Sequence, residues 1–158
     1  MRVVVISGYF NPLHTGHIDY IKGASELGDS LIVIVNNDIQ VDLKGSTPFM
    51  READRMRMVS AIKGVDRVVL SIDTDSSVVQ TIISLYNEYA VNWDFDYMTF
   101  ANGGDRRKNN SPEEAYCSWR KIKTVYNVGG RKTQSSSELL QNNAPMPSGH
   151  PVSKIRGM

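Results

Sequence analysis

Cysteine, histidine and long apolar runs are scarce in this 158-residue chain, and their scarcity excludes several settings. A single cysteine, Cys117, cannot close an internal disulfide, so a reducing cytoplasmic setting is expected. No stretch approaches the ~20 apolar residues of a membrane helix. The apolar run after Arg2 breaks at Gly8-Tyr9-Phe10-Asn11-Pro12, too soon for a signal peptide. Eighteen basic against seventeen acidic residues leave a formal charge of +1, which offers no field for nucleic acid or a membrane surface. Neither is expected as a partner. What remains, 41% hydrophobic, is enough for one domain with a real core. That domain is expected over residues 1–142, followed by a Pro/Gly/Ser-rich extended tail over 143–158, where His150 reads as solvated.

The apolar segments alternate in kind. Val3-Val4-Val5-Ile6 and Leu31-Ile32-Val33-Ile34-Val35 are continuous runs, as in strands buried on both faces of a parallel sheet. Between them Ile18, Ile21, Ala24 and Leu27 recur at helical spacing over 18–27, and Gly28 fits the stop. The pattern then predicts a polar loop over 39–48, a helix over 49–62, a strand over 65–72 and a helix over 78–89 capped from Asp73-Thr74-Asp75-Ser76. A fourth strand follows over 97–101, then a helix opened by Ser111-Pro112, a fifth strand over 124–128 and a helix start near Ser135. Strands alternating with helices predict an α/β domain: a Rossmann-like, open, doubly wound, parallel five-stranded sheet. Ligands of such sheets bind beyond the carboxyl ends of the strands.

Two of the three histidines, His14 and His17, stand at one such end, where the loop after the first strand becomes a helix. A helix start presents unpaired N–H groups and the positive end of the macrodipole, so it attracts phosphate. Two imidazoles three residues apart, with Gly16 between them, can face the same anion, and the glycine leaves the backbone open to close approach. No cysteine or carboxylate cluster nearby completes a zinc set around the pair.

The segment Gly8-Tyr9-Phe10-Asn11-Pro12-Leu13-His14-Thr15-Gly16-His17 resembles the first signature of the HxGH nucleotidyltransferases, in particular the cytidylyltransferase-like branch acting on glycerol phosphate or heptose phosphate. The resemblance covers most of 1–142 and implies the doubly wound fold. It also implies transfer of a nucleotidyl group onto a small phosphorylated acceptor, with Mg²⁺ carried mainly by the triphosphate. His14 and His17 would serve the α-phosphate, with Gly8, Tyr9, Phe10, Asn11 and Gly16 lying against the nucleotide. Arg131-Lys132-Thr133-Gln134-Ser135-Ser136-Ser137 is similar to the family's C-terminal motif, where hydroxyl residues open a helix and hold the β- and γ-phosphates. There Arg131 would be catalytic, with Lys132, Gln134, Ser135, Ser136 and Ser137 as nucleotide ligands. Lys44 matches a loop lysine that closes over the acceptor or α-phosphate. Asp38 and Arg55 match acceptor-side positions, although Arg55 could equally pair along its helix with Glu52 or Asp54. Gly103-Gly104-Asp105-Arg106 resembles a post-strand motif near base and ribose, implicating Gly103, Asp105 and Arg106.

The donor is divided between two readings. Cytidylyltransferases usually carry aspartate where Asn11 stands, and Phe10-Asn11-Pro12 is closer to the nicotinate mononucleotide adenylyltransferases. Gly103-Gly104-Asp105 and the compact length pull toward the cytidylyl group. The expectation is CMP transfer from CTP to a polyol or sugar phosphate. ATP on a mononucleotide or sugar phosphate is the alternative within the class, and a nucleotide-binding module without turnover the alternative outside it. Relatives are often dimers, so a sheet-edge homodimer is expected.

Overall fold

The computed structural model of the chain describes residues 1–92, 94–104 and 111–130. In chain order they form β1 (Arg2–Gly8), α1 (Thr15–Ser25), β2 (Ser30–Val35), α2 (Asp38–Leu43), α3 (Glu52–Ser60), β3 (Arg67–Leu70), α4 (Val79–Asn92), β4 (Tyr97–Ala101), α5 (Pro112–Arg120) and β5 (Lys123–Val125). The strands make one five-stranded sheet in the order β3-β2-β1-β4-β5, every neighbouring pair parallel. The α/β fold class expected from the sequence is therefore the observed one. Strand order reverses beside β1, which puts the binding crevice at the carboxyl ends of β1 and β4.

Side chains on a strand alternate between faces, so each strand feeds two cores. Val3, Val5, Ile32, Ile34, Met98 and Phe100 form one with Ile82 and Leu85 of α4 and Cys117 of α5. Val4, Ile6, Leu31, Val33 and Val35 form the other with Ile21 and Ala24 of α1 and Val59 of α3. Each fully buried aliphatic side chain contributes roughly 1.5–3 kcal/mol relative to exposure. Two apolar layers explain why the strands read as unbroken apolar runs. No helix among the described residues is long and apolar enough to cross a membrane.

The structure corrects several element boundaries. Residues 39–48 are not all loop: α2 occupies their first half, started by a capping box in which Asn37 Oδ1 accepts from the Gln40 amide and Gln40 Oε1 from the Asn37 amide. The helix expected from residue 49 starts at Glu52, because the Phe49 and Met50 amides bond the Asn11 side chain instead of entering a helix. The first helix begins three residues early, at Thr15, with His14 as its N-cap. The last strand ends at Val125, since Asn127 takes a left-handed conformation (φ 61°) and the Val128 amide turns back to the Asn102 carbonyl. The expected cap of α4 is real: the Asp73 carboxylate accepts from the Gln80 and Thr81 amides of its first turn.

Candidate active site

The histidine pair is built into the helix start. His14 Nδ1 accepts from the Gly16 amide and His17 Nδ1 from the His14 amide, each at 3.1 Å. An Nδ1 that accepts a hydrogen bond carries no proton, so in both neutral rings the N–H is on Nε2. The rings stack with centroids 3.9 Å apart and planes 24° from parallel. Phe10 supports them from below, its edge toward His17 at 4.8 Å. Phe10 is buried, with a positive φ of 52°, and lies so close to Gly8 that a Cβ there would sit 2.8 Å from the ring. The glycine thus serves the packing of Phe10. Two Nε2–H donors at the positive end of a helix suit an anionic oxygen. They do not suit a metal, which would need the opposite tautomer with Nδ1 protonated. Among the described residues no group of three or more His, Cys, Asp or Glu could hold a metal ion.

Arg55 is fully buried, and its guanidinium ties three loops together. Nε donates to the Met50 carbonyl (3.0 Å), Nη1 to the Tyr9 and Asn36 carbonyls (2.8 and 2.7 Å), and Nη2 to Asp38 Oδ1 (2.7 Å). Asp38 and Glu52 then exchange contacts: Glu52 Oε1 accepts from the Asp38 amide and Asp38 Oδ2 from the Glu52 amide. Each acid lies in the first turn of its helix, where the macrodipole favours it. The two acceptor-side candidates, Asp38 and Arg55, are therefore partners of each other. Pairing of Arg55 with Glu52 or Asp54 is not observed. Burial makes Arg55 a strut that fixes the loops after β1 and β2.

Lys44 closes α2 and lies above Tyr9, its Nζ 4.3 Å from the ring centroid, a cation–π geometry. Gly45 follows with φ +84° and open space around it. Asn11, buried to 4% exposure, uses its amide on the backbone of residues 47–50. Beneath α2 is a polar layer the sequence reading missed. Asn37 Nδ2 donates to the Ser71 and Asp73 carbonyls, Gln40 Nε2 to the Asp75 and Ser77 carbonyls, and Asn36 Nδ2 to Gln40 Oε1. The only local signal for it was the Asn37/Gln40 capping spacing.

On the other side of β1, the Tyr20 hydroxyl donates to the Ala101 carbonyl at the end of β4, and Asn102 joins the ends of β4 and β5. Gly103 is half-buried just past β4. Gly129, φ +84°, presses on α1 so closely that a Cβ would lie 2.8 Å from Tyr20 Cα. The chain thus reaches Gly130 beside the helix that carries Gly16 and His17. Asp105, Arg106, Arg131, Lys132, Gln134, Ser135, Ser136 and Ser137 lie outside the described residues, as does the expected tail.

A parallel sheet with stacked imidazoles at a helix start, on its carboxyl edge, defines a phosphate-handling α/β domain of Rossmann-like type. Comparison with known proteins agrees. The chain belongs to the cytidylyltransferase-like family, whose model matches residues 5–151. It is 45% identical over 75 residues to FAD synthase of Methanothrix thermoacetophila, covering 48% of this chain and 52% of that protein. It is also 45% identical over 71 residues to the bifunctional protein HldE of Koribacter versatilis, covering 44% of this chain and 15% of that one. The chain spans about half the length of the FAD synthases it matches. The crystal structure of the lipopolysaccharide core biosynthesis protein from Thermoplasma volcanium superimposes with a TM-score of 0.65 at 28% identity, over 80% of this chain and 96% of that one.

Proposed function

We propose that the domain catalyses nucleotidyl transfer: a phosphate oxygen of a small phosphorylated acceptor attacks the α-phosphorus of a nucleoside triphosphate, the α–β bridging P–O bond breaks, and pyrophosphate leaves. The observation that carries this is the histidine pair, whose Nδ1 atoms are both committed to backbone amides, so that Nε2–H is the donor at the helix start. Little covalent work falls to the protein in phosphoryl chemistry; alignment and charge stabilisation dominate. Lys44 above Tyr9 supplies a cation on the acceptor side, and Arg131 with the serine run supplies the triphosphate end. Mg²⁺ bound through the triphosphate would neutralise part of its charge, and the described residues offer it no cage of their own.

For the donor we favour ATP. Relatives with 34–45% identity over half the chain are named FAD synthase, and FAD contains an adenylyl group. The resemblance of Phe10-Asn11-Pro12 to the nicotinate mononucleotide adenylyltransferases supports the same side. CTP is the second reading, carried by the description of the family and by Gly103-Gly104 at the end of β4.

A thermal-shift panel of ATP, CTP, GTP and UTP with Mg²⁺ separates them. A ligand at about a hundred times its Kd adds roughly 2.7 kcal/mol, which raises the Tm of a domain this size by roughly 5–10 °C. A shift with ATP alone supports the adenylyl reading, and one with CTP alone replaces it by the cytidylyl reading. A shift without pyrophosphate release for any acceptor identifies a binding module.

A further inference from the structure

Asn11 is a position where the fold separates an amide from an acid. Its Oδ1 accepts from the amides of both Phe49 and Met50, and its Nδ2 donates to the Thr47 carbonyl at 3.1 Å. Two donors on one side and an acceptor on the other fix the orientation of the amide, because the flipped group would set NH₂ against two N–H groups. An ionised aspartate accepts only. It would keep the Phe49 and Met50 contacts but turn a carboxylate oxygen on the Thr47 carbonyl, leaving that carbonyl with a repulsive neighbour.

The segment so held is gripped a second time, by Arg55 Nε on the Met50 carbonyl. At its other end it joins α2, where the Lys44 amide bonds Gln40, the Gly45 amide bonds Asp42 and the Ser46 amide bonds Val41. Residues 44–50 thus form a short bridge with both ends anchored. Lys44 is at one end and Asn11 sets the other, and Gly45 next to Lys44 faces open space.

We propose that Asn11 is a positioning residue: it holds residues 47–50 so that Lys44 stays over Tyr9, and it acts on the transfer step through Lys44 without touching the nucleotide. The rate arm of this inference rests on the nucleotidyl-transfer reading; the structural arm does not.

The test is Asn11→Asp, Lys44→Ala and the double variant in the full chain, with limited trypsinolysis alongside. Asn11→Asp should keep the Kd for the donor triphosphate within about twofold while acceptor turnover falls by about a hundredfold, as for a misplaced catalytic group. The double variant should match Lys44→Ala within about twofold, because both changes act on one element. Mass spectrometry should show cleavage after Lys44 accelerated about tenfold in Asn11→Asp, since the bridge has lost an anchor. Should Asn11→Asp not fold, Phe49→Pro removes one of the two N–H groups from the other side of the contact, on a side chain that is already exposed, and should give the same cleavage and turnover pattern. Parental turnover in Asn11→Asp would overturn the proposal. So would donor affinity and turnover falling together with cleavage after Lys44 unchanged. If the parent releases no pyrophosphate, the nucleotidyl-transfer reading fails, and trypsin alone decides the anchoring claim.

Discussion

Replacing Arg55 by alanine tests the frame of the site. The side chain is fully buried and donates four hydrogen bonds, three to carbonyls in separate loops and one to Asp38. Alanine would strand the Tyr9, Asn36 and Met50 carbonyls and leave Asp38 without its cation. Breaking a buried ion pair by deleting one partner costs about 3–5 kcal/mol. That is a large part of the roughly 5–15 kcal/mol a domain possesses, and corresponds to a fall in Tm of about 6–20 °C at this chain length. Lysine keeps the charge but replaces the planar fork by three rotatable donors, so it should cost less, about 1–3 kcal/mol. Urea denaturation of the parent, Arg55→Lys and Arg55→Ala should give stability in that order. A stability loss below about 1 kcal/mol for Arg55→Ala, the level of an exposed pair, would refute the strut. If weaker acceptor binding came with it, direct acceptor contact would take its place.

His17→Asn should separate cap from chemistry: its Oδ1 can accept from the His14 amide, but no Nε2–H remains, so the fold persists while turnover drops about 10²–10³-fold. Undiminished turnover would remove His17 from the mechanism. Gly129→Ala, with a positive φ and a Cβ 2.8 Å from Tyr20 Cα, should lower stability in a thermal melt clearly more than Gly45→Ala, which has the same φ but open space. Burial first, then Glu113 and Glu114, push the Cys117 thiol up to about 12, so it should resist iodoacetamide at pH 8 until the protein is unfolded. The hydrogen bonds from Arg2 lower the Asp29 carboxyl from 3.8 to about 2. A lowered folded-state pKa gives stability that is present above the ordinary value and lost as pH falls through the folded one. Asp29→Asn should therefore flatten the acid limb between 3.8 and about 2 in a pH-dependent melt, most visibly at low salt.

Unbroken apolar runs such as Val3-Val4-Val5-Ile6 made the parallel sheet legible, because burial on both faces leaves no polar alternation. The histidine motif was legible because its chemistry is local: strand end, turn and helix cap lie within ten residues. What escaped the sequence was set by distance. Asp38 and Arg55 were singled out separately, yet nothing local shows that they meet across 17 residues. The contacts of the Asn11 amide were equally hidden, because its backbone partners lie 36–39 residues ahead. Helix α2 was read as loop because six residues cannot display a helical stripe, and Ile39 and Leu43 on it are exposed. Tertiary hydrogen bonds under Asn37 and Gln40 hold it, with Val41 as its one buried apolar side chain.

Mass-spectrometric detection of product is the measurement that goes to the centre. The parent and His17→Asn would be incubated with Mg²⁺ and each nucleoside triphosphate, against a set of phosphorylated alcohols, sugar phosphates and mononucleotides. Nucleotidyl transfer requires one pyrophosphate for each new diphosphate-linked product, from the parent and only at a trace level from His17→Asn. Triphosphate binding with neither pyrophosphate nor product, for any acceptor, would contradict it and leave a nucleotide-binding module.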